Sequence, residues 1–346
     1  MSPIFSMLLL PFLCAMFLAV NMGGSGTAPS FSASYGADLI RKDKIPGLFG
    51  IAVFFGALLA GKKVSLTIGK GILPGEVMGI TLTAIILLSV ALSLLMANLM
   101  KIPQSTSQST IFALIGPAVY FDILKTDKLV FEIIPAWFIL PVISFVITYV
   151  IGKFIYGPLK RNSLINFNQI ALHPGLKFLV ILASLYVAFA IGSNNVANAA
   201  GPIASMISNE LHVAPNDANF LLIMLISTLI IAPCFGIGSS IFGHRVVETT
   251  GKEIVGFGPL GATLVSCITA TLLLLASVTR GIPTSLVQMN TAAIIALGIT
   301  KTGWKNTIRQ TSVKKMLTIW IIAPLIALII SFVLTILADK FGLLNR

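Results

Sequence analysis

Asn194, Asn195 and Asn198 lie within five residues of one another in Gly192-Ser193-Asn194-Asn195-Val196-Ala197-Asn198, behind a long apolar run. A carboxamide in apolar surroundings is costly unless it is partnered. Its N–H groups can donate to an anion, and its oxygen can ligate a cation. A second polar stretch is Asn21-Met22-Gly23-Gly24-Ser25-Gly26-Thr27-Ala28-Pro29-Ser30. Its glycines permit close backbone approach, and a helix restarting near Pro29 would aim free N–H groups at an anion. A third feature occurs twice. Pro103-Gln104-Ser105-Thr106-Ser107-Gln108-Ser109-Thr110 is matched by Pro283-Thr284-Ser285, followed by Gln288 and Asn290. All of these groups recognise small ions by hydrogen bonding. Nothing points to covalent catalysis or a cofactor. His173, His212 and His244 are isolated, and neither His-Glu-x-x-His nor Gly-x-Ser-x-Gly occurs. We therefore expect no enzyme.

The elements that must position these groups are membrane helices. The chain has 346 residues, 56% apolar and 10% charged, with a mean hydropathy of +0.99. A soluble domain carries about 25% charged residues. The composition excludes an ordinary cytosolic enzyme, a disordered chain and a disulfide-stapled module. Apolar runs at 4–22, 45–61, 77–100, 132–156, 174–191, 218–243, 255–279 and 315–338 each approach or exceed the length that crosses a bilayer. Between them lie 23–40, 103–121, 193–209 and 283–299, shorter or richer in Gly, Ser, Thr, Asn, Gln and Pro. Such segments survive at membrane depth only where protein or water surrounds them, so they are expected to be broken or re-entrant helices. The formal charge of +12 comes from basic clusters between apolar runs, which reads as cytoplasmic loops rather than nucleic-acid binding. Cys14, Cys234 and Cys267 lie in apolar stretches and read as core residues. The first residues lack a basic region, so no cleaved signal peptide is expected.

The segments also repeat. Phe17 to Gly24 aligns with Tyr186 to Ser193, Thr67 to Ile72 with Thr249 to Ile254, and Ile102 to Ser105 with Ile282 to Ser285. The offsets run from 169 to 182. Paired loops carry opposite charge bias: Lys301, Lys305, Arg309, Lys314 and Lys315 stand without an acid, whereas Lys125 and Lys128 stand among Asp122, Asp127 and Glu132. The expectation is an all-α polytopic membrane protein of two inverted repeats. Residues 1–158 form the first, 159–173 a cytoplasmic connection and 174–346 the second. Each half has about five spanning helices plus a broken or re-entrant segment, an odd count that inversion requires. Both termini lie outside a cell membrane. Lys62, Lys63 and Lys70 then fall outside as well, where they attract anions to the outer mouth.

Gly192-Ser-Asn-Asn-Val-Ala-Asn198 resembles the Gly-Ala-Asn-Asp-Val-Ala-Asn signature of the inorganic phosphate transporter (PiT) family. Gly75-Glu76-Val77, Pro103-Gln-Ser-Thr106 and Pro283-Thr-Ser285 resemble further motifs of that family, so the likeness runs through both halves. It implies a duplicated, inverted, cation-coupled oxyanion symporter, often a homodimer. The signature Asn-Asp pair is Asn194-Asn195 here, and the first-half positions are Ser25 and Gly26. Both aspartates are absent, as in the Gly-rich first motif of the sulfate permease branch.

The loss has a physical reading. Phosphate near neutral pH keeps a P–OH that a carboxylate can accept, whereas sulfate is a dianion that a carboxylate repels. Donors without carboxylates suit sulfate. The substrate site is expected at Gly24, Ser25, Gly26, Thr27, Ser105, Thr106, Ser193, Asn194, Asn195, Thr284 and Ser285. The coupling ion, H⁺ or Na⁺, is expected at Glu76, Asn21, Asn195, Asn198, Gln108 and Gln288. Moving a dianion against an inward-negative potential costs about 4.6 kcal/mol per 100 mV, so uptake must be coupled. The reading is sulfate import. The alternative is sodium-coupled phosphate symport, and an anion channel stands behind both.

Overall fold

A computed structural model describes residues 3–36, 38–100, 104–158, 173–213, 218–243, 258–308 and 311–344. Lys101, Pro103, residues 159–172 of the expected connection, Asp217, His244 and the 249–254 motif lie outside them. Among the described residues there are helices and turns and no strand.

The first helix, α1 (Pro3–Gly36), runs for 34 residues, about 50 Å of rise. It does not break at Gly23-Gly24-Ser25-Gly26, contrary to expectation. Ser25, Thr27 and Ser30 turn their hydroxyls back onto the carbonyls of Met22, Gly23 and Gly26 at 3.1, 2.6 and 2.9 Å. Helical hydroxyls commonly bond back in this way. Pro29 is carried inside the helix.

After α1 come α2 (Ile45–Ala60), α3 (Lys62–Lys70), α4 (Ile80–Leu99) and α5 (Thr106–Tyr120). Helix α6 (Ile134–Ile151) is continued at both ends by π turns. The second half opens with α7 (Pro174–Asn195) and α8 (Ala197–Glu210). Only Val196 separates them, and its backbone stays helical at φ −59° and ψ −33°. Segment 193–209 is therefore a continuation of the span before it, as 23–36 is of α1. Then follow α9 (Ala218–Ile231), α10 (Pro233–Gly238), α11 (Gly258–Leu275), α12 (Leu286–Thr302), α13 (Trp304–Ile308) and α14 (Thr311–Lys340). Eight stretches of the described chain are long and apolar enough to cross a membrane, four before residue 158 and four after 173, and they overlay the eight apolar runs. Leu59, Phe131, Phe138 and Ile321 stand exposed on them, as lipid-facing side chains do.

The packing comes in matched pairs. Helix α1 packs on α4, and α7 on α11; α5 packs on α14, and α12 on α6; α2 packs on α7, and α10 on α1. The last two contacts are backbone to backbone. A Cβ at Gly56 would stand 2.0 Å from Phe189 O, and one at Gly192 would stand 2.1 Å from Val53 O. In the other pair, Gly23 and Gly238 face Phe235 O and Val20 O at 2.2 and 1.9 Å. Only glycine permits these crossings, which bring Cα–H groups onto carbonyls. Gly23 is separated from Gly192 by the same offset as Phe17 from Tyr186, and Gly56 from Gly238 by the same offset as Thr67 from Thr249.

Candidate functional site

The described chain does break ahead of α5 and α12. Ser105 (φ −80°, ψ 104°) and Ser285 (φ −105°, ψ 106°) are extended and cap the helices that follow. Ser105 Oγ accepts from Gln108 N at 3.4 Å, and Ser285 Oγ accepts from Gln288 N at 3.2 Å. A Ser-x-x-Gln start usually folds its glutamine back onto the cap. Here the two glutamines bond each other. Gln108 Nε2 donates to Gln288 Oε1 at 3.2 Å, and Gln288 Nε2 donates to Gln108 Oε1 at 2.9 Å. Two helix N-termini thus meet through one buried amide pair. Ser105, Thr106, Ser107, Gln108, Thr284, Ser285 and Gln288 are all buried. None of these side chains is ionisable, so the positive ends of two helix dipoles set the local potential.

Asn194 ties the second break in place. Its Nδ2 donates to Ser277 Oγ at 2.9 Å and to Ile282 O at 3.0 Å. Its Oδ1 accepts from Ser107 Oγ at 3.1 Å and from Thr284 N at 3.3 Å. Both donors and the acceptor are spent, and the side chain grips peptide 282–284 as a neighbouring strand would. In this structure Asn194, expected as a substrate donor, acts as a strut. Trp137 Nε1 adds a bond to Pro283 O at 3.0 Å, and its ring stacks on Phe112 of α5. One turn beyond Asn194, Asn198 Nδ2 reaches Ser107 Oγ at 3.4 Å. Asn198 Oδ1 is buried and has no partner among the described residues.

Apolar helices of spanning length, two buried helix starts and a carboxylate-free cluster describe a device for moving an ion. Comparison with known proteins agrees. The sequence profile of the Phosphate transporter family matches residues 22–167 and 160–331. The chain belongs to this family. The transporter is 33% identical to the sulfate permease CysP of Bacillus subtilis over 329 residues, 95% of this chain and 87% of that protein. A solved structure titled "The sodium-dependent phosphate transporter" superposes with a TM-score of 0.82 at 22% identity, covering 97% of this chain and 99% of that one. At that identity the likeness establishes the fold.

The transporter brings together Ser105, Thr106, Gln108, Asn194, Asn198, Thr284, Ser285 and Gln288 of the expected residues. It does not bring the others to this cluster. A Cβ at Gly24 would meet Phe242, and one at Gly26 would meet Phe49, so both glycines make room for helices. Ser25 and Thr27 bond their own helix, as does Ser193, to Ala190 O at 2.8 Å. Asn21 donates to Phe17 O and accepts from Asn98 on α4 at 3.2 Å. Asn195 is half-buried and makes no side-chain hydrogen bond among the described residues. Glu76 stands exposed on the turn Gly75–Val77, outside the spans, beside a cavity of about 670 Å³ lined also by Tyr120 and Leu344.

Two of the three lysines expected at the outer mouth, Lys63 and Lys70, are engaged with their surroundings. Burial pulls the Lys70 ammonium below its ordinary range, opposed by Glu76, and its Nζ sits 3.5 Å above the Phe220 ring. Lys63 Nζ donates to Thr279 O at 3.0 Å, close to Ser277 in sequence. Ser107, Ser277 and Trp137 escaped sequence reasoning. Each matters only through a partner far away in the chain, and the sole signal was the polar run that contains Ser107.

Proposed function

We propose that the protein is a symporter that imports a tetrahedral oxyanion, sulfate before phosphate, together with Na⁺ or H⁺. The observation that carries this reading is the meeting of two Ser-capped helix N-termini in a buried cluster free of carboxylates. Such a site offers N–H and O–H donors to a dianion and no charge that repels it. The likeness to a sulfate permease supports the same substrate. Ser105, Thr106, Thr284 and Ser285, with the free N–H groups of the first helical turns, take the anion. Asn198 Oδ1, an acceptor without a donor among the described residues, takes part in holding the cation.

Residues 1–158 and 174–346 are inverted repeats in this reading. The offsets shared by the motifs and the glycine crossings support it, as does the reciprocal packing of α5 on α14 and α12 on α6. Both termini then lie outside a cell membrane, and Lys62, Lys63 and Lys70 flank the outer mouth.

Sodium-coupled phosphate symport is the second reading, and one observation favours it. The lone Asn198 Oδ1 can also accept a P–OH proton. Uptake of radiolabelled sulfate into proteoliposomes, with unlabelled phosphate as competitor and H⁺ or Na⁺ gradients imposed in turn, tests both. Sulfate accumulation indifferent to phosphate is expected. Uptake of radiolabelled phosphate that unlabelled sulfate does not reduce, with no sulfate accumulation, would transfer the assignment to the second reading. Flux that never exceeds equilibrium would make the protein a channel.

A further inference from the structure

Gln108 and Gln288 are separated by the same offset as Ser105 and Ser285. Each is the third residue of its helix, and both are buried. Each gives the other one N–H and accepts one in return. The pair also joins two groups of helices. Helix α5 packs with α4 and α14, whereas α12 packs with α6 and α11.

We infer that this reciprocal amide pair is the device that couples anion movement to cation movement, and that the cation is an oxygen-ligated alkali ion. The inference rests on the symport reading above. Opening the pair frees two donors and two acceptors in a buried place. Sulfate has oxygens for the two Nε2 groups and, carrying no O–H, nothing for the two Oε1 atoms. An alkali cation ligates the Oε1 atoms and does nothing for the N–H groups. Either ion alone therefore leaves buried polar atoms unpaired, and the unpaired ends face a ligand of the other kind. Both ions together satisfy all four ends. An amide carbonyl does not bind a proton near neutral pH, so H⁺ cannot take the place of the metal ion. Because coupling is reciprocal, the cation must tighten anion binding by the same factor as the anion tightens cation binding.

Equilibrium binding of radiolabelled sulfate and of radiolabelled phosphate to the purified full chain tests this, with Na⁺ exchanged for choline and with pH stepped separately. In the unaltered protein Na⁺ should tighten binding of the accepted anion by at least about ten-fold, and pH should not. In the double variant Gln108→Leu/Gln288→Leu both partners are removed together, and the Na⁺ factor should fall to near one. A double variant that keeps the full factor overturns the coupling role. Tightening by acid instead of Na⁺ in the unaltered protein also overturns it, while leaving symport standing. Binding without any cation effect removes the symport reading itself. Should the double variant bind nothing, a second variant decides. Gln108→Cys/Gln288→Cys, with Cys14, Cys234 and Cys267 changed to Ala, is bridged by a short bis-thiosulfonate reagent. The bridged protein should bind neither ion until the bridge is reduced. Unchanged binding with a complete bridge sinks the inference.

Discussion

Ser25 and Asn194 are separated by the same offset as Phe17 and Tyr186, and they do opposite things. Asn194 leaves its helix to grip peptide 282–284, Ser277 and Ser107. Ser25 returns to Met22 O on its own helix. The first break is held from within instead, by Gln104 Nε2 bonding to Ser93 and Ser109. The same helix order therefore carries two different ties. The difference teaches that a polar side chain in a membrane helix marks a site only when it bonds outside its own turn.

The largest test of the comparison is removal of the two side chains. Asn194→Ala takes one bond each from Ile282 O, Thr284 N, Ser277 and Ser107; Ser277 keeps its bond to Leu273 O and Ser107 its bond from Asn198, and a buried group left unpaired costs about 1–3 kcal/mol. We expect uptake to vanish and thermal unfolding in detergent to begin at least several degrees lower. Ser25→Ala loses one local bond and should shift neither by much. Equal effects at the two positions would remove the asymmetry.

Glycine crossings should behave in the opposite way, alike in both halves. Gly56→Ala and Gly238→Ala each press a methyl group into a carbonyl oxygen of the facing helix. Overpacking of this kind costs about 1–3 kcal/mol, and the two variants should lose similar amounts of thermal stability. A gap of more than about 2 kcal/mol would mean that the two crossings bear different loads, against their matched geometry.

Two of the three tryptophans sharpen the contrast at smaller scale. Trp137 and Trp320 hold matching places in the two halves, each one helical turn ahead of a proline, Pro141 and Pro324. Trp137 Nε1 bonds Pro283 O, while Trp320 Nε1 is buried without a partner among the described residues. Trp137→Phe should cost about 1 kcal/mol and lower uptake several-fold, because peptide 282–284 loses a tie. Trp320→Phe should be neutral or slightly stabilising. Thermal melts of the two variants side by side check this.

Much of the fold was legible because apolar length and membrane thickness are directly linked, so the eight runs became eight helical stretches. Ser105 and Ser285 lie in segments expected to be broken or re-entrant, and serine is a favoured residue at a helix start. The break expected at Gly23-Gly24-Ser25-Gly26 was misread because glycine serves two ends. It loosens backbone, and it lets another helix approach. Close approach of Phe235, Phe242 and Phe49 to these glycines decides for the second, and Phe235 and Phe242 belong to the other half of the sequence. Asn194 was legible as a costly polar group but not as a strut, because its donors and acceptors end on residues remote from it in the chain.

The smallest predicted effect separates the uncharged centre from the charged rim. The cluster of described residues around Asn194 contains no titratable side chain, so substitutions there should leave the pH dependence of stability unchanged. Lys70 lies outside the spans, and burial disfavours its charged form. Its folded pKa is below the ordinary 10.5, so between the two values the unfolded chain binds more protons than the folded one. Stability must then rise as pH climbs through that window and stay flat below it. Lys70→Met removes the ammonium while keeping an apolar chain against Phe220. Melting curves collected from neutral pH up to 10.5 should lose their upward slope in this variant, and Asn194→Ala, where it folds, should keep it. A slope that survives Lys70→Met would mean that Lys70 is not the group that titrates.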